Sequence, residues 1–326
     1  MEQTNKTRTV KRVKKKGRKR KVILSIFSFF LLLIFGFAAY FFVQYKQSFN
    51  SSKASSNLSG KQIEFNGTTD KLDKVNILLL GIDARNKEVS RTDTIIVAQY
   101  DPKTKTSKMV SIMRDIYVDI PGYKKNKINS AYSVGGAELL RRTLKENFDL
   151  DIEYYALIDF KGFVNMIDEA FPEGIEMDVE KRMSKNIGVT LNPGIQKLHG
   201  KELLGYVRYR ADGSDFNRVE RQQKAIKVLV NEAVSLKGVM KIPNMIGAIQ
   251  PHILTNMETT KMLAISTSFL SAEGREIQTM SIPVKDSFTD PTYEGVGRVL
   301  DIDLEKNKQE LHNFLEGSTA VTVQQN

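Results

Sequence analysis

Residues 206–222 read YVRYRADGSDFNRVERQ, and this stretch decides how the rest of the chain is interpreted. Its first five residues alternate and are rich in aromatic side chains, which predicts a strand at 206–210. On a strand, Arg208 and Arg210 would share one face about 7 Å apart. Polar residues then offer a turn and helix caps, and the apolar spacing that follows predicts a helix at 218–232.

This predicted helix would begin with a cation. Arg218 lies in the first turn, where the helix dipole disfavours positive charge, and Gln222 lies on the same face one turn later. Arg218 therefore needs an anion, and guanidiniums at a strand end and a helix start would together bind phosphate or pyrophosphate. The stretch alone leaves open a second interpretation, a solvated sheet edge whose arginines pair with Asp212, Asp215 and Glu220.

The composition excludes several kinds of site. The chain has 326 residues, a net charge of +11 and no cysteine, so it has no disulfide, zinc–thiolate or cysteine-nucleophile chemistry. Eleven Lys or Arg residues and one Glu fall within residues 1–21, so the excess charge belongs mainly to this segment. A basic block can bind nucleic acid, but beside a membrane span it sets orientation and contacts anionic lipids. We predict no nucleic-acid partner.

The chain is predicted to have five regions. Residues 22–43 carry no charged side chain and are long enough to cross a bilayer, which predicts one uncleaved transmembrane helix. The basic tail, 1–21, would then lie in the cytoplasm and everything after the span outside the cell. Residues 44–73 are polar and predict a flexible extracellular stalk. The folded extracellular domain is predicted at 74–317, and 318–326 is a polar tail.

Three predicted strands bring charged residues to one edge of a sheet. The first ends shortly before Asp83, the second begins after Asp93, and the third ends at Arg114. A hairpin-like return of the second and third strands would gather these residues where α/β sheets bind ligands. The two aspartates would suit Mg²⁺, or Mn²⁺ in its place, although ordinary turn aspartates are the alternative. The strands are predicted at 75–80, 94–100 and 107–113.

The remaining pattern predicts an α/β protein. Lys127 and Asn129 lie between predicted elements and could contact a ligand or belong to a solvated loop. The Met-rich helices after residue 232 could form core or line an apolar groove for a lipid tail. Further strands are predicted at 154–160, 174–179 and 276–283, and helices at 137–148, 162–170, 198–204, 239–249, 258–270 and 303–315.

Several motifs occur in one order behind the basic tail and the span. They are NILLLGID at 76–83, RTDT at 91–94, MRD at 113–115, KINSAY at 127–132, and the stretch 206–222. Together they resemble the LytR–CpsA–Psr family of Gram-positive bacteria, closely over 74–232 and loosely as far as residue 317. The chain departs from the family pattern at FPEG, residues 171–174, away from the charged motifs.

The resemblance implies a three-layer α/β/α sandwich with a mixed central sheet, preceded by the transmembrane helix. It implies a phosphotransferase on the outer side of the cell membrane. Such an enzyme would move a glycopolymer, of the wall teichoic acid or capsule type, from a polyprenyl-pyrophosphate carrier to a peptidoglycan hydroxyl. The alternatives are a phosphatase or pyrophosphatase using water as acceptor, and a non-catalytic lipid-binding envelope regulator. A transcriptional attenuator is disfavoured because the basic tail has no helix-turn-helix.

Matching the motifs residue by residue assigns the site. Asp83 and Asp93 would hold Mg²⁺. The residues predicted to be catalytic are Asp83, Asp93, Arg114, Arg208 and Arg210, and those predicted to bind substrate are Arg91, Lys127, Asn129, Arg218, Arg221 and Gln222.

Overall fold

The computed structural model describes residues 39–40, 42–53, 63–83, 92–211, 213–234, 242–270 and 276–317. The chain forms two compact units, Met1–Gln44 and Tyr45–Asn326. The described residues of the first unit are helical. The predicted tails 1–21 and 318–326, Arg91 and almost all of the predicted span lie outside the described residues. Within the part of the chain that is described, no helix is both long and apolar enough to cross a bilayer.

The second unit alternates strands and helices, and residues 45–53 at its start are helical. The strands are β1 (Val75–Ile82), β2 (Thr92–Asp101), β3 (Thr106–Ile112), β4 (Tyr117–Val118), β5 (Asn126–Lys127), β6 (Tyr154–Asp159), β7 (Ile175–Val179), β8 (Gly194–Leu198), β9 (Ile253–Thr255), β10 (Ile277–Ile282), β11 (Phe288–Thr289), β12 (Thr292–Tyr293), β13 (Gly297–Arg298) and β14 (Asp301–Ile302). The helices are α1 (Ile128–Phe148), α2 (Phe160–Ala170), α3 (Gly200–Arg208), α4 (Asp215–Val234), α5 (Ile242–Ile249), α6 (Thr259–Leu270) and α7 (Leu304–Glu316).

A six-stranded mixed sheet forms the centre, in the order β10-β3-β2-β1-β6-β9. β1 pairs antiparallel with β2 and parallel with β6, so Leu79 lies between Ile96 and Ala156. β2 pairs antiparallel with β3, which confirms the predicted hairpin-like return. The end of β1, the start of β2 and the end of β3 therefore lie at one edge of the sheet.

Helices cover both faces of the sheet. On one face, alternate residues of the strands, such as Leu78 and Val97, pack against α1 and α7 through Leu144, Phe148 and Leu311 in the larger core. A smaller core on the other side joins α2, α3 and α4 to the β7–β8 hairpin. Between this second group of helices and the sheet lies a large cavity, described below.

The predicted strand at 206–210 is wrong. α3 continues to Arg208, and the chain becomes extended only at Tyr209. Leu203 and Tyr206, three residues apart, are both fully buried on one side of this helix. Both side chains pack in the smaller core, and the Tyr206 hydroxyl donates to Glu180 Oε1 at 2.7 Å. Together with the residues before it, the stretch also has a helical spacing, since Leu203, Tyr206 and Val207 recur at i, i+3 and i+4.

Two other boundaries differ from the sequence prediction. The segment predicted as a stalk contains the helical residues 45–53, and residues 63–73 pack on the domain, where the Thr68 amide donates to the Ile152 carbonyl at 2.9 Å. The helix predicted at 137–148 is confirmed as the second half of α1, but the sequence did not predict the first half, which begins at Ile128 and is joined to it across a kink at Gly135 and Gly136. Gly136 at this kink has φ 64°, which a residue with a side chain rarely adopts.

Candidate functional site

The charged residues predicted from three strand ends meet at one edge of the sheet. Asp93 lies at an irregularity in the β1–β2 pairing, where Gly81 is opposite Thr94 but Ile82 is opposite Thr92. Arg114 follows β3 and donates through Nη1 to Asp93 Oδ1. Asp83 directly follows β1 and therefore lies at the same edge.

Arg210 connects this edge to the start of α4. Its Nη2 donates to Asp93 Oδ1 at 3.3 Å, and its Nε lies 3.5 Å from Asp215 Oδ1. Arg114 Nε also lies 3.9 Å from Asp215 Oδ2. Side chains from β2, from the segment after β3 and from the start of α4 with the residues before it thus form one ion-pair network. We call it the charged cluster, and its members are Asp93, Arg114, Asp115, Arg210, Asp215 and Arg218.

Arg218 is the most deeply buried cation of the charged cluster. Its side chain is 2% exposed, and its Nη2 donates to Asp215 Oδ2 at 2.6 Å. Its Nε and Nη1 have no hydrogen-bond partner among the described residues. A buried guanidinium with two unsatisfied donors carries a desolvation cost that an anionic ligand would remove.

Gln222 lies one helical turn after Arg218, as predicted. Its Nε2 donates to Thr94 Oγ1 at 3.2 Å and to the Val207 carbonyl at 3.3 Å, so it fixes α4 against both β2 and α3. Arg208 ends α3, and its guanidinium lies 4.2 Å from the centroid of the Phe160 ring. This stacking holds the cation against an apolar wall.

A cavity of about 730 Å³ with a mainly apolar lining opens next to the charged cluster, and we call it the lipid cavity after the ligand proposed for it below. The cavity face of the sheet forms its floor, with Leu79, Ile96 and Ala156. The opposite wall is apolar and comes from α2, α3 and α4. Its polar lining includes the predicted residues Asp93, Arg208, Arg210, Arg218 and Gln222.

Close helix packing shapes the wall of this cavity. A Cβ on Gly200 would lie 2.3 Å from the Val164 carbonyl oxygen, so only glycine allows α3 to approach α2 this closely. Along α4, Arg218 and Gln222 lie in the first turns and Leu229 lies further on, with all three lining the cavity. The cavity is therefore charged where α4 begins and apolar beyond that point.

Burial and neighbouring charges shift the pKa values of two members of the cluster, Arg114 and Asp215. Burial disfavours the charged form of Arg114, but the carboxylates of Asp115, Asp93 and Asp215 outweigh this effect and raise its pKa. Burial raises the pKa of Asp215, against the attraction of Arg114 and Arg210. Asp215 therefore takes up a proton more readily than a solvent-exposed aspartate does.

Three other residues that were predicted to bind substrate do not line the lipid cavity. Lys127 extends the cluster, since its Nζ lies 2.8 Å from Asp115 Oδ1. Asn129 is buried, and its backbone amide donates to the Arg114 carbonyl at 3.3 Å, so it supports the loop after β3. Arg221 does not line the lipid cavity; its Nη2 donates to the Tyr209 carbonyl at 2.5 Å and holds the α3–α4 connection.

Sequence reasoning did not assign Asp115 and Asp215 to the site. Asp215 enters only as a cap or as an arginine partner, and the structure shows that it pairs with Arg218 three residues later. Asp115 follows Arg114 directly and accepts from its Nε at 3.3 Å. The i, i+3 spacing of Asp215 and Arg218 was the available signal. The contact of Asp215 with Arg114 depends on the tertiary fold, so no sequence pattern could indicate it.

Comparison with known proteins places this geometry in a family. A family model described as the LytR_cpsA_psr family matches residues 39–312. The chain belongs to the LytR_cpsA_psr family. This agrees with the resemblance drawn from the motifs, and the family is one of transferases.

Two curated relatives carry different names. The regulatory protein MsrR of Staphylococcus aureus is 44% identical over 273 residues, which are 82% of this chain and 84% of that protein. The polyisoprenyl-teichoic acid–peptidoglycan teichoic acid transferase TagU of Oceanobacillus iheyensis is 34% identical over 230 residues, which are 68% of this chain and 71% of that protein.

A solved structure shares the fold. The Bacillus subtilis protein YwtF (TagT), a LytR-CPS2A-psr family protein with bound octaprenyl pyrophosphate, superposes with a TM-score of 0.55 and 26% identity. The match covers 80% of this chain and 96% of that one. Similarity at this level establishes the architecture of the mixed sheet and its helices.

Proposed function

We propose that this protein is a membrane-anchored phosphotransferase that moves a glycopolymer from a polyprenyl-pyrophosphate carrier to a peptidoglycan hydroxyl. The observation that carries the proposal is the contact between the apolar lipid cavity and the buried, partly unsatisfied guanidinium of Arg218. A ligand matching both features has a long apolar chain and an anionic head group. The names of TagU and of the octaprenyl-pyrophosphate complex of TagT support this substrate class.

The residues of the cluster supply positioning and charge neutralisation. Arg208, Arg210 and Arg218 would contact the pyrophosphate, while Arg114 holds Asp93 in place. A pyrophosphate linkage already contains a good leaving group, so its transfer needs mainly orientation and neutralised charge. In the reaction, the acceptor oxygen bonds to the phosphorus that carries the polymer, and the bond from that phosphorus to polyprenyl phosphate breaks. The proton of the acceptor hydroxyl passes to an aspartate, Asp83, Asp93 or Asp215.

We further propose that Asp83 and Asp93 hold Mg²⁺. Asp93 uses Oδ1 for its ion pairs, and its Oδ2 accepts no hydrogen bond from any residue that the structure describes. Within the same described residues no group of three or more acidic, His or Cys side chains could hold a metal. Two carboxylates are sufficient for Mg²⁺ when phosphate oxygens and water complete its shell. When bound, the ion would neutralise charge on the pyrophosphate oxygens.

The location follows from the same reaction. Peptidoglycan lies outside the cytoplasmic membrane, and residues 22–43 have the composition of a single transmembrane helix. We propose that this helix anchors the enzyme, with the basic tail in the cytoplasm and the folded domain outside the cell.

The test compares Arg208→Ala and Arg210→Ala with Arg142→Ala, an exposed arginine of α1. Each purified full-length protein is given lipid-linked polymer with and without peptidoglycan. We expect the two cluster variants to lose transfer by about a hundredfold or more, and Arg142→Ala to retain it. Retained transfer in both cluster variants would refute their role. Equal release of lipid phosphate by the wild type without peptidoglycan would instead identify a hydrolase.

A further inference from the structure

A second cavity, which we call the aromatic groove, lies beside α4 and has no part in the reaction described above. Its volume is about 530 Å³. The rings of Phe216 and Phe288 line it, with centroids 5.4 Å apart and an interplanar angle of 31°. Its polar lining consists of Glu220, Ser281, Lys285 and Asp286.

The aromatic groove and the lipid cavity border opposite faces of α4. Arg218 and Gln222 line the lipid cavity, whereas Phe216 and Glu220 line the groove. Residues two apart on a helix point about 160° away from each other. The first two turns of α4 therefore separate the two cavities.

The charged cluster connects them. Phe216 directly follows Asp215, which pairs with Arg114, Arg210 and Arg218. On the other side of the groove, Pro283 follows Ile282, whose carbonyl accepts from the Met113 amide at 2.9 Å, next to Arg114. One end of the groove therefore lies beside the first turn of α4, where Asp215 pairs with three arginines of the charged cluster.

The lining of the groove fits a saccharide. Aromatic rings offer flat apolar surfaces for the C–H faces of a sugar, and carboxylates, an ammonium group and a hydroxyl pair with its hydroxyls. Glu220 and Asp286 outnumber Lys285, so a polyanion such as a phosphate-linked polymer is disfavoured here. The groove therefore suits a hydroxyl-rich acceptor better than a phosphorylated donor chain.

We propose that the aromatic groove binds the acceptor saccharide and directs its hydroxyl at the phosphorus held by the charged cluster. Phosphoryl transfer needs the attacking and leaving oxygens roughly in line, on opposite sides of the phosphorus. A polyprenyl phosphate leaving into the lipid cavity places the attacking hydroxyl on the groove side. This inference rests on the proposed function, because it assigns the second substrate of that reaction.

The first test measures binding without turnover. The protein has no tryptophan, so Phe288→Trp places a single fluorescent reporter in the groove. The matched control is Ile195→Trp, at a residue that is 73% exposed on β8 and lines neither cavity. The probe is a soluble tetrasaccharide of alternating N-acetylglucosamine and N-acetylmuramic acid whose lactyl carboxyls are amidated, so it carries no anionic group. We expect a saturable emission shift in Phe288→Trp alone; no shift, or an equal shift in the control, would overturn the proposal.

The second test separates the two substrates by kinetics. Phe288→Ala, Phe216→Ala and the conservative Glu220→Gln are assayed while donor and acceptor concentrations are varied independently. We expect the acceptor KM to rise roughly tenfold, the size of one lost aromatic contact, with an unchanged donor KM. A rise in the donor KM instead would place the donor polymer in the groove and contradict the assignment.

Failure of the proposed function and failure of the groove assignment would give different results. If the wild type makes no transfer product, the phosphotransferase assignment fails, while the tryptophan titration still decides whether the groove binds saccharide. A melting temperature is recorded for each variant. Glu220 is exposed, so its substitution tests the groove even if the phenylalanine variants do not fold.

Discussion

At the scale of single residues, the charged cluster combines cations that need a ligand with carboxylates that compete for them. Among the described residues, two buried nitrogens of Arg218 have no hydrogen-bond partner, and its Nη2 donates to Asp215. Asp215 also faces Arg114 and Arg210, so it holds three guanidiniums in one place before substrate arrives. The sequence predicted the arginines by residue type and named Asp215 as one possible partner, but it could not show that Arg114 shares this partner, because that contact depends on the tertiary fold.

Replacing Asp215 with Asn should separate binding from turnover. The change removes a negative charge that competes with pyrophosphate for Arg218, so donor affinity should be unchanged or higher. Turnover should fall about hundredfold, because the arginines lose their common partner and a carboxylate that can accept a proton is removed. Titration with a prenyl pyrophosphate and a transfer assay measure the two effects.

The matched comparison for Asp215→Asn is Arg218→Ala, which should weaken donor binding. Loss of donor binding in Asp215→Asn would show that this carboxylate only supports the fold. In the wild type, turnover should rise with pH through the pKa of Asp215, which burial raises, and this acid limb should be absent from the variant.

At the scale of elements, the near-continuous apolar run at 75–80 and two further predicted strands indicated β1, β2 and β3, and the charged residues at their ends indicated their common edge. The strand expected at 206–210 is wrong because Leu203, Tyr206 and Val207 also have a helical spacing, and as a helix this segment buries Leu203 and Tyr206 in the smaller core. The early start of the domain also escaped prediction. The segment before β1 is polar in sequence, yet it is fixed by contacts such as that of the Asn66 amide with Glu138 Oε2 at 2.8 Å.

Glu138 on α1 provides an element-scale test of stability. It accepts from Arg141 Nη2 at 2.7 Å and from the Asn66 amide. Burial disfavours its charged form, but these hydrogen bonds outweigh that effect and lower its pKa below 4.5. Because the folded-state pKa lies below the unfolded one, the stabilisation is present above about pH 4.5 and is lost as the pH falls through the folded-state pKa.

Glu138→Gln should therefore lower the free energy of unfolding at pH 7 by about 1.5 kcal/mol, with a smaller difference in acid. Urea denaturation of the variant and the wild type, at pH 7 and at a pH below the folded-state pKa, measures the difference in free energy of unfolding under each condition. The control is Glu146→Gln, on the exposed side of the same helix, which should change neither value. A constant difference at both pH values would argue against the charged hydrogen bonds as the cause.

At the scale of the whole molecule, the two faces of the sheet have different roles. One face is filled by α1 and α7 and forms the larger core, whereas helices on the other face enclose the lipid cavity. The sequence predicted a mixed sheet and family membership, both of which are confirmed. It offered an apolar groove only at the Met-rich helices after residue 232, whereas α2, α3 and α4 line the cavity. An apolar residue that lines empty space has the same sequence pattern as one that is packed.

Filling the lipid cavity should remove function without removing stability. Ala156 lies on its floor, so Ala156→Phe would occupy space that is empty in the free protein. We expect prenyl-pyrophosphate binding to weaken by about tenfold or more while the melting temperature stays level or rises, because new apolar contacts form. Ala156→Ser, which adds little volume, is the control. Unchanged binding in Ala156→Phe would show that the lipid lies elsewhere.

The central claim is that one site holds an apolar chain and a pyrophosphate together. The most direct measurement is a crystal structure of this protein with a polyprenyl pyrophosphate and Mg²⁺. We predict density for the prenyl chain between Leu79 on the sheet and Leu229 on α4, with the phosphates against Arg208, Arg210 and Arg218. A chain bound outside this cavity, or phosphates remote from all three guanidiniums, would contradict it.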